Sequence, residues 1–382
     1  MKILFLIYHG FSEHSGISKK IHYQIKGLRE NGHEVHVCTY YIREDGHRVR
    51  MVDDDLVLQD FGYGRWAAIK QRFSFKKLTD YVIKNGFEFV YARSFHNANW
   101  ATVKMFKQFK AHHIPSVIEI PTYPYDQEYT GTTSWENKIK LMLDKLYRRK
   151  LAAQVNAIVT FTNDKEIFNQ RTICISNGID YDHIPMQQKR SHPDNEIHLI
   201  GVAEVHYWHG YDRLIAGLGE YYQNSPNKDI YFHIVGGIAD SEMYGSSHAP
   251  GFHELIQKYN IRKYVIFHGP KFGDELDTLF NQADFAIGSL ARHRSGITNI
   301  KTLKNREYAA RGIPFVYSEM DEDFEQMPYI IKALADESPI DLSNIIRAIE
   351  GNKICSSEIR KSISQLTWKE QMQKVVDNVI KL

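Results

Sequence analysis

The sequence predicts an α/β protein with two Rossmann-like, doubly wound domains that face each other across a cleft. Short apolar strand patterns alternate with amphipathic helix patterns, which is typical of parallel sheets covered by helices. The alternation stops in the segment 185–195 (PMQQKRSHPDN), which lacks periodicity and is rich in turn-forming residues, and then starts again. The 382 residues are enough for two domains with separate cores.

The first half is predicted to form strands joined by helices. The apolar run at 2–8 is the first strand, and the helix after it places Ile17, Ile21 and Leu28 on one face. Further strands are expected at 34–40, 87–92, 116–120, 157–162 and 172–176, with short strands at 48–52 and 56–60. Further helices are expected at 66–85, 97–111 and 134–151. Helices between consecutive strands predict a parallel, doubly wound sheet.

The second half repeats this architecture after the segment 185–195, which we interpret as the interdomain linker. Strands are expected at 197–203, 229–235, 264–268, 284–289 and 314–317. Helices are expected at 211–222, 251–260, 272–282, 301–311, 340–350 and 356–381. The first domain is therefore predicted to span residues 1–183 and the second residues 196–360.

Composition excludes several classes of function. A net charge of +2 is too balanced to indicate binding to nucleic acid. Cys38, Cys174 and Cys355 are far apart and have no metal-ligand spacing, so we expect reduced thiols and no bound metal. The first apolar run is too short for a signal peptide, and no window reaches the roughly 18 apolar residues of a membrane span. These features predict a cytoplasmic protein that is soluble or peripheral at the inner face of the membrane.

The strongest local pattern is KTLKNREYAARGIP at 301–314. Lys304 and Glu307 lie one turn apart near the start of a predicted helix, which suits a nucleoside diphosphate. The helix N-terminus and Lys304 would favour the phosphates, and Glu307 would accept the hydroxyls of a ribose. The alternative is an ordinary ion pair between these two residues on a solvated helix surface.

The segment REYAARGIP resembles the E-A-M-A-x-G-x-P segment of GT-B glycosyltransferases of the large retaining, family-four-like class. The resemblance implies a GT-B fold and a nucleotide-sugar donor, with Glu307 on the ribose. The family's other Glu, eight residues earlier, is replaced here by Asn299. The form T-L-K-x-R-E-Y looks more like the bacterial capsule and polysaccharide branch of the class.

Other segments resemble the family in order and spacing. They are ISNGID at 175–180, VAEVHYWHGYDRL at 202–214, HIVGG at 233–237 with Gly236, ADFAIGSL at 283–290, and Trp368 with its helix. The last of these resembles the helix that crosses back to the first domain, here residues 361–382.

One departure concerns the donor pyrophosphate. The family holds it with an Arg and a Lys in the segment G-R-L-x-x-x-K-G, and these two places hold Glu204 and His209 here. Replacement charge is available from Arg292, Arg294 and Lys304. We expect Lys304 and Arg294 to bind the pyrophosphate, with His209 in the same donor site.

Candidate residues in the first domain follow its strands. Gly16 opens a helix and would let phosphate or sugar approach backbone N–H groups, although a plain tight turn explains it equally well. His96 and Glu119 follow the strands at 87–92 and 116–120, where an α/β cleft places polar groups, and are candidate catalytic contacts to the transferred sugar. A capping or surface role is the alternative for His96.

The predicted helix at 134–151 contains the sequence WENKIKLMLDKLYRRK at 135–150. It carries six basic residues around an apolar stripe of Ile139, Leu143 and Leu146. Such a helix can lie on an anionic membrane surface. The alternative is a domain helix that turns this stripe toward the core and its charges toward solvent.

Together these patterns predict a glycosyltransferase that moves a sugar from a nucleotide-diphosphate sugar to a glycan or lipid-linked glycan in surface polysaccharide synthesis. The resemblance favours retention of configuration, and the residues themselves leave retention and inversion open. Two alternatives stay open: a catalytically inactive glycan- or nucleotide-binding protein, and a nucleotide-sugar epimerase of GT-B shape. A dinucleotide oxidoreductase is disfavoured, because no G-x-G-x-x-G follows the first strand.

Overall fold

The computed structural model describes residues 1–11, 16–93, 97–126, 135–189, 191–224, 226–245, 250–351 and 353–380. Its contacts divide the chain into two units. The first comprises Met1–Gly178 and Thr367–Leu382, and the second comprises Ile179–Leu366. No helix in the described ranges combines the length and the apolar character that crossing a bilayer demands.

The sheet of the first unit is parallel in its centre and antiparallel at both edges. Its described strands are β1 (Lys2–Ile7), β2 (Glu34–Ile42), β3 (Arg48–Val52), β4 (Leu56–Asp60), β5 (Phe89–Arg93), β6 (Ser116–Ile120), β7 (Ala157–Thr160), β8 (Glu166–Ile167) and β9 (Gln170–Cys174). They are ordered β4-β3-β2-β1-β5-β6-β7-β9-β8. The short strands β3 and β4 lie where the sequence predicts them. Strand β3 pairs antiparallel to β2, and β4 pairs antiparallel to β3, so both extend the sheet beyond the predicted parallel strands.

The helices of the first unit cover both faces of this sheet. They are α1 (Gly16–Glu30), α2 (Gly64–Phe73), α3 (Lys76–Lys84), α4 (Trp100–Ala111) and α5 (Trp135–Ala152). Alternate residues of β1 face opposite ways, so Leu4 and Leu6 join one core cluster and Phe5 joins the other. The single helix predicted at 66–85 is two helices, because the chain turns at Ser74 and buries Phe75 in the core.

The second unit has a sheet whose described strands all pair in parallel. They are β10 (Glu196–Val202), β11 (Asp229–Val235), β12 (Val265–Gly269), β13 (Phe285–Ile287), β14 (Phe315–Tyr317) and β15 (Ile330–Lys332), ordered β12-β11-β10-β13-β14-β15. The helices are α6 (Tyr211–Gln223), α7 (Asp240–Tyr244), α8 (Phe252–Tyr259), α9 (Gly273–Gln282), α10 (Leu303–Arg311), α11 (Leu342–Gly351) and α12 (Ser356–Lys361). Strand β15 was not predicted from the sequence.

The predicted linker is part of the second unit. The side chain of Gln187 is buried and donates to the carbonyls of Phe280 at 2.7 Å and Ala283 at 2.5 Å. Its backbone N–H donates to the carbonyl of Arg311 at 2.8 Å. Turn-forming composition therefore identified an irregular segment, but hydrogen bonds to two helices fix it in place.

The C-terminal region also differs from the single helix expected at 356–381. Helix α12 ends at Lys361, a short 3-10 turn follows at Ser364–Leu366, and α13 then spans Trp368–Ile380. Helix α13 packs against α1 in the first unit. The side chain of Gln371 accepts a hydrogen bond from the backbone N–H of Ser176 at 2.7 Å.

Candidate functional site

The candidate site lies in the second unit, at the carboxyl ends of the adjacent strands β10, β13 and β14. Loops after parallel strands are where α/β sheets bind ligands. The loop after β13 carries Ser289 and Arg292, and the chain after β14 carries Glu319. The short helix Tyr207–His209, which follows β10, places His209 at the same edge, where its carbonyl accepts from Leu290 at 2.8 Å.

Helix α10 begins at this edge and places Lys304 in its first turn. The Nζ atom of Lys304 donates to Oγ of Ser289 at 3.2 Å. The side chain of Thr302 does not cap the helix, so the first backbone N–H groups gain nothing from it. The helix ends at Arg311, and Gly312 follows with a φ of 77°. An added Cβ at Gly312 would lie 2.4 Å from the carbonyl oxygen of Ser356, so both the backbone and the space favour glycine here.

Among the residues that the structure describes, no ion pair involves either of two cations of the site, Arg292 and Lys304. The Nε atom of Arg292 finds no hydrogen-bond partner within the described part of the chain, although the guanidinium lies 5.7 Å from the ring centre of Trp208. Burial lowers the pKa of Arg292. Burial, together with the charge of Arg292, also lowers the pKa of Lys304. Both groups therefore gain from an anion that would neutralise them.

A buried carboxylate lies near these cations without bonding to them. Glu319 is 2% exposed, and neither of its carboxylate oxygens finds a hydrogen-bond partner among the residues that the structure describes. Burial raises its pKa, while the charges of Lys304 and Arg292 act in the opposite direction. Both carboxylate oxygens of Glu319 and Nε of Arg292 therefore lack a hydrogen-bond partner among the described residues, which marks a site whose polar groups are not all satisfied in this state.

His209 is a neutral donor in this environment. Its Nδ1 atom accepts from the backbone N–H of His206 at 2.9 Å, so Nε2 carries the proton of the neutral ring. Burial and the charges of Lys304 and Arg292 all lower the pKa of His209. His209 thus lies close to the predicted phosphate-binding Lys304, but it does not replace the family's cation with another cation.

The structure corrects the expectation for Arg294. Its guanidinium donates to both carboxylate oxygens of Asp212, at 2.9 Å and 2.8 Å, and to Glu337 at 3.0 Å. It also donates to the carbonyl of Tyr207 at 2.9 Å. Two carboxylates therefore already neutralise Arg294, whereas Arg292, two residues earlier, forms no ion pair with a described residue.

Glu307 lies one turn after Lys304 but does not pair with it. Its Oε1 atom accepts from Nε and Nη2 of Arg311, at 3.1 Å and 3.0 Å. Arg311 also donates to Asp277 at 2.7 Å. The surface ion pair between Lys304 and Glu307, which was the alternative to a functional role, is therefore absent among the described ion pairs, and the Glu307 side chain stays 32% exposed.

Gly236 is required by the backbone. Its φ is 127°, and an added Cβ would lie 1.8 Å from the carbonyl oxygen of Ala203. Its N–H donates to the carbonyl of Gly269 at 2.9 Å. The resemblance implies a place for Gly236 in the donor site, which stays a prediction; the structure shows that its N–H is already used and that it allows two loops of the protein to approach closely.

The candidates in the first unit have different outcomes. Gly16 is the first residue of α1, while the loop before it and His96 lie outside the described residues. Glu119 is fully buried, and its Oε2 accepts from Gln24 at 2.6 Å and from Tyr91 at 2.5 Å. Arg93 approaches its Oε1 at 3.5 Å. Burial contradicts the expected direct contact of Glu119 with a sugar.

Sequence reasoning missed Ser289, Glu319 and the ion pair that anchors α10. Arg306 and Asp321 are fully buried and bonded at 2.8 Å. One feature of the sequence could have indicated this pair. Arg306 lies in the same helical row as Ala310, which faces the core, and a charged residue on a buried face needs an oppositely charged partner. No comparable signal identified Glu319. The described residues contain no group of three or more His, Cys, Asp or Glu side chains arranged to hold a metal ion.

No protein-family model and no curated protein sequence matches the chain. Solved structures match its fold. HepE of Anabaena in complex with UDP-glucose is 15% identical over 100% of both chains, with a TM-score of 0.52. The catalytic domain of starch synthase IV from Arabidopsis thaliana, bound to ADP and acarbose, is 10% identical over 99% of this chain and 98% of that chain, with a TM-score of 0.57.

A third solved structure is AviGT4, a glycosyltransferase involved in avilamycin A biosynthesis. It is 12% identical over 100% of this chain and 97% of that chain, with a TM-score of 0.53. At identities this low the likeness concerns the fold. The chain has the predicted GT-B fold, with two α/β domains built on largely parallel sheets.

Proposed function

We propose that this chain is a glycosyltransferase that uses a nucleoside diphosphate sugar as its donor. The observation that carries the proposal is a pair of cations, Arg292 after β13 and Lys304 in the first turn of α10, that form no ion pair with any residue in the described part of the chain. A diphosphate would neutralise both, and the uncapped first turn of α10 would add backbone N–H donors. The fold, which is shared with solved glycosyltransferases, supports this assignment.

The remaining donor contacts follow from α10 and its surroundings. Arg311 holds Oε1 of Glu307 and thereby orients the carboxylate, so that Oε2 would accept the hydroxyls of the ribose. His209 would donate its Nε2–H to a phosphate oxygen. Glu307 would thus add an anionic contact to the ribose and His209 a neutral contact to a phosphate, while Arg292 and Lys304 would supply positive charge to the diphosphate.

The chemistry needs a stabilised leaving group. The bond between the anomeric carbon and the diphosphate oxygen breaks, its electron pair goes to the diphosphate, and the acceptor hydroxyl forms the new bond to the anomeric carbon. Arg292 and Lys304 would stabilise the charge that develops on the diphosphate. The resemblance to the retaining class favours transfer of the hydroxyl proton to the departing phosphate, with retention of configuration.

We further propose that these side-chain cations act in place of a metal ion and that the acceptor is a glycan or lipid-linked glycan of surface polysaccharide synthesis. The motif T-L-K-x-R-E-Y supports this choice of acceptor through its resemblance to the capsule branch. UDP and UDP-glucose are the first ligands to test, because HepE, which shares the fold, was solved with UDP-glucose.

Calorimetry of UDP, uridine and ADP binding tests the donor site. Lys304→Met and Arg292→Met should each weaken diphosphate binding by about 1.5–3 kcal/mol and leave nucleoside binding nearly unchanged. The matched control is Lys263→Met, which removes an exposed positive charge before β12, at the amino end of the same sheet. Glu307→Ala should weaken the binding of nucleoside and diphosphate alike.

Two results would contradict the proposal. The first is a wild-type chain that binds no nucleoside diphosphate. The second is a Lys304→Met variant that binds UDP as tightly as the Lys263→Met control. Release of UDP from UDP-sugars then separates an enzyme from an inactive binding protein, because only an enzyme cleaves the donor when acceptor is supplied.

A further inference from the structure

Helix α5 turns an apolar stripe outward. The exposed stripe comprises Trp135, Ile139, Met142 and Leu146, with 74%, 40%, 64% and 60% of their surfaces exposed. Spacings of three and four residues place these side chains on one face of the helix. The opposite side packs into the unit through Leu141, Asp144 and Leu151. The domain-helix alternative, with Ile139 and Leu146 toward the core, is therefore contradicted.

Basic residues flank this stripe on both sides. At 100° per residue, Lys138, Lys145 and Arg149 lie along one flank and Lys150 lies along the other, and all four are exposed. The acidic Asp144 is turned inward, where it accepts from the hydroxyl of Tyr125 at 2.6 Å. The exposed face of α5 thus combines an apolar centre with positive edges.

We propose that this face of α5 docks on the surface of an anionic lipid bilayer. A bilayer offers acyl chains to the apolar stripe and anionic headgroups to the basic flanks, and so satisfies both parts of the face. Exposed apolar stripes with polar edges mark interaction surfaces. Trp135 is amphipathic and suits the interface between headgroups and acyl chains.

Charge and polarity disfavour the two other possible partners of this face, a second copy of the chain and a nucleic acid. A second copy of this chain would bring two sets of Lys138, Lys145 and Arg149 together, and like charges repel. A nucleic acid would match the basic flanks, but its phosphates would leave Met142 and Leu146 without an apolar partner. The bilayer is the partner that matches both the charge and the apolar surface.

Docking goes beyond the proposed function, since it places the chain where a lipid-linked acceptor would be found. Its test needs no sugar donor, so failure of the docking and failure of the glycosyl transfer are distinguished by separate measurements. The experiment is co-sedimentation of the full chain with vesicles of phosphatidylcholine, with and without phosphatidylglycerol.

We expect binding to the phosphatidylglycerol vesicles that weakens as salt is added. The double variant Met142→Glu/Leu146→Glu should lose this binding. The double variant Lys138→Gln/Arg149→Gln should lower the partition coefficient about thirtyfold, since each basic residue contributes about a fivefold factor. The matched control is Phe272→Glu, which changes a 79% exposed apolar residue of the second unit and should bind like wild type.

Tryptophan fluorescence gives a second readout. The emission should move to shorter wavelength when vesicles are added, and Trp135→Phe should remove this shift although four other tryptophans remain. Equal binding of wild type and Met142→Glu/Leu146→Glu would overturn the proposal, as would equal binding to vesicles without phosphatidylglycerol. Self-association or nucleic-acid binding that the same substitutions abolish, without vesicle binding, would assign the face to that partner instead.

Discussion

Three histidines form a ladder across adjacent strands of the second sheet. His198 in β10, His233 in β11 and His268 in β12 are linked by ring-nitrogen distances of 2.9 Å and 2.9 Å. The carboxylate of Glu196 at the end of the ladder favours one direction of donation, because it can only accept from His198. Nε2–H of His268 donates to Nδ1 of His233, whose own Nε2–H donates to His198, and His198 points its Nε2 at Glu196, 3.3 Å away. The neutral ladder is therefore fully satisfied.

Protonation of His233 breaks this pattern, because its new Nδ1–H would face the N–H of His268. Burial and the charges of His198 and His268 lower the pKa of His233 from 6.5 to about 3. The unfolded chain thus binds more protons than the folded chain between these two pH values, and the free energy of unfolding falls as the pH drops below 6.5. From pH 7.5 to pH 5 we expect a loss of about 2 kcal/mol from His233 alone.

Hydrogen exchange followed by mass spectrometry can locate this loss. The free energy of opening is measured for peptides that cover β10–β12 at pH 7.5 and pH 5, with correction for the intrinsic exchange rate. Other groups titrate in the same range, so the comparison is with His233→Phe. This variant is less stable at pH 7.5, because His198 and His268 lose a partner, but its stability should depend less on pH by about 2 kcal/mol. Equal losses in both proteins would refute the reasoning.

Three further predictions concern the second unit. Binding of a diphosphate should raise the lowered pKa of Lys304, so that protons are taken up and the affinity for the diphosphate falls as the pH rises. Calorimetry in buffers of different ionisation enthalpy measures this proton uptake. An uptake of zero would contradict the prediction. Arg306→Met should lower the free energy of unfolding by about 3–5 kcal/mol in urea titrations, because it leaves the buried Asp321 without its ion-pair partner. A loss below about 1 kcal/mol would be evidence against a buried ion pair. Gly236→Ala should lower the melting temperature far more than the control Gly237→Ala, because an added Cβ at Gly237 meets no atom closer than 3.9 Å. Equal shifts in melting temperature would rule out the close approach of Gly236 to the carbonyl oxygen of Ala203.

The fold was predictable because parallel strands and their helices leave strong patterns. Strand β6 and strand β11 lie where the sequence predicts them, since strands buried on both faces read as continuous apolar runs between turns. Breaks inside helices were not predictable in the same way. The apolar periodicity of 66–85 continues across Ser74 and Phe75, and only the burial of Phe75 in the tertiary core shows where the chain turns.

The candidate site was predictable in part. The pattern at 301–314 predicted Lys304 and Glu307 one turn apart on a helix, and α10 confirms that placement, while their contacts with a donor stay a prediction. The choice between Arg292 and Arg294 was not available from the sequence. Asp212, which neutralises Arg294, is 82 residues away along the chain, so only the folded structure brings it into contact.

Periodicity identifies the face of a helix but not its environment. The stripe that contains Ile139 and Leu146 was found in the sequence, where the core and a membrane were both open interpretations. Burial decides between core and solvent, because the same residues are 40% and 60% exposed in the structure. The inward partner of α5 is instead the row that contains Asp144, whose charge made a core role difficult to predict.

Helix α10 connects the donor contacts to the stability of the second unit. Lys304 donates to Ser289 in the candidate site and Glu307 is held by Arg311, while Arg306 turns inward to the fully buried Asp321. A buried ion pair adds little net stability, because desolvation offsets the attraction, yet separating its charges is costly. A rotation of α10 by one residue would turn Arg306 out of its site and move Lys304 and Glu307 by about 100°. We infer that the buried pair sets the rotation of α10, and that the proposed contacts of Lys304 with a phosphate and of Glu307 with a ribose depend on this constraint.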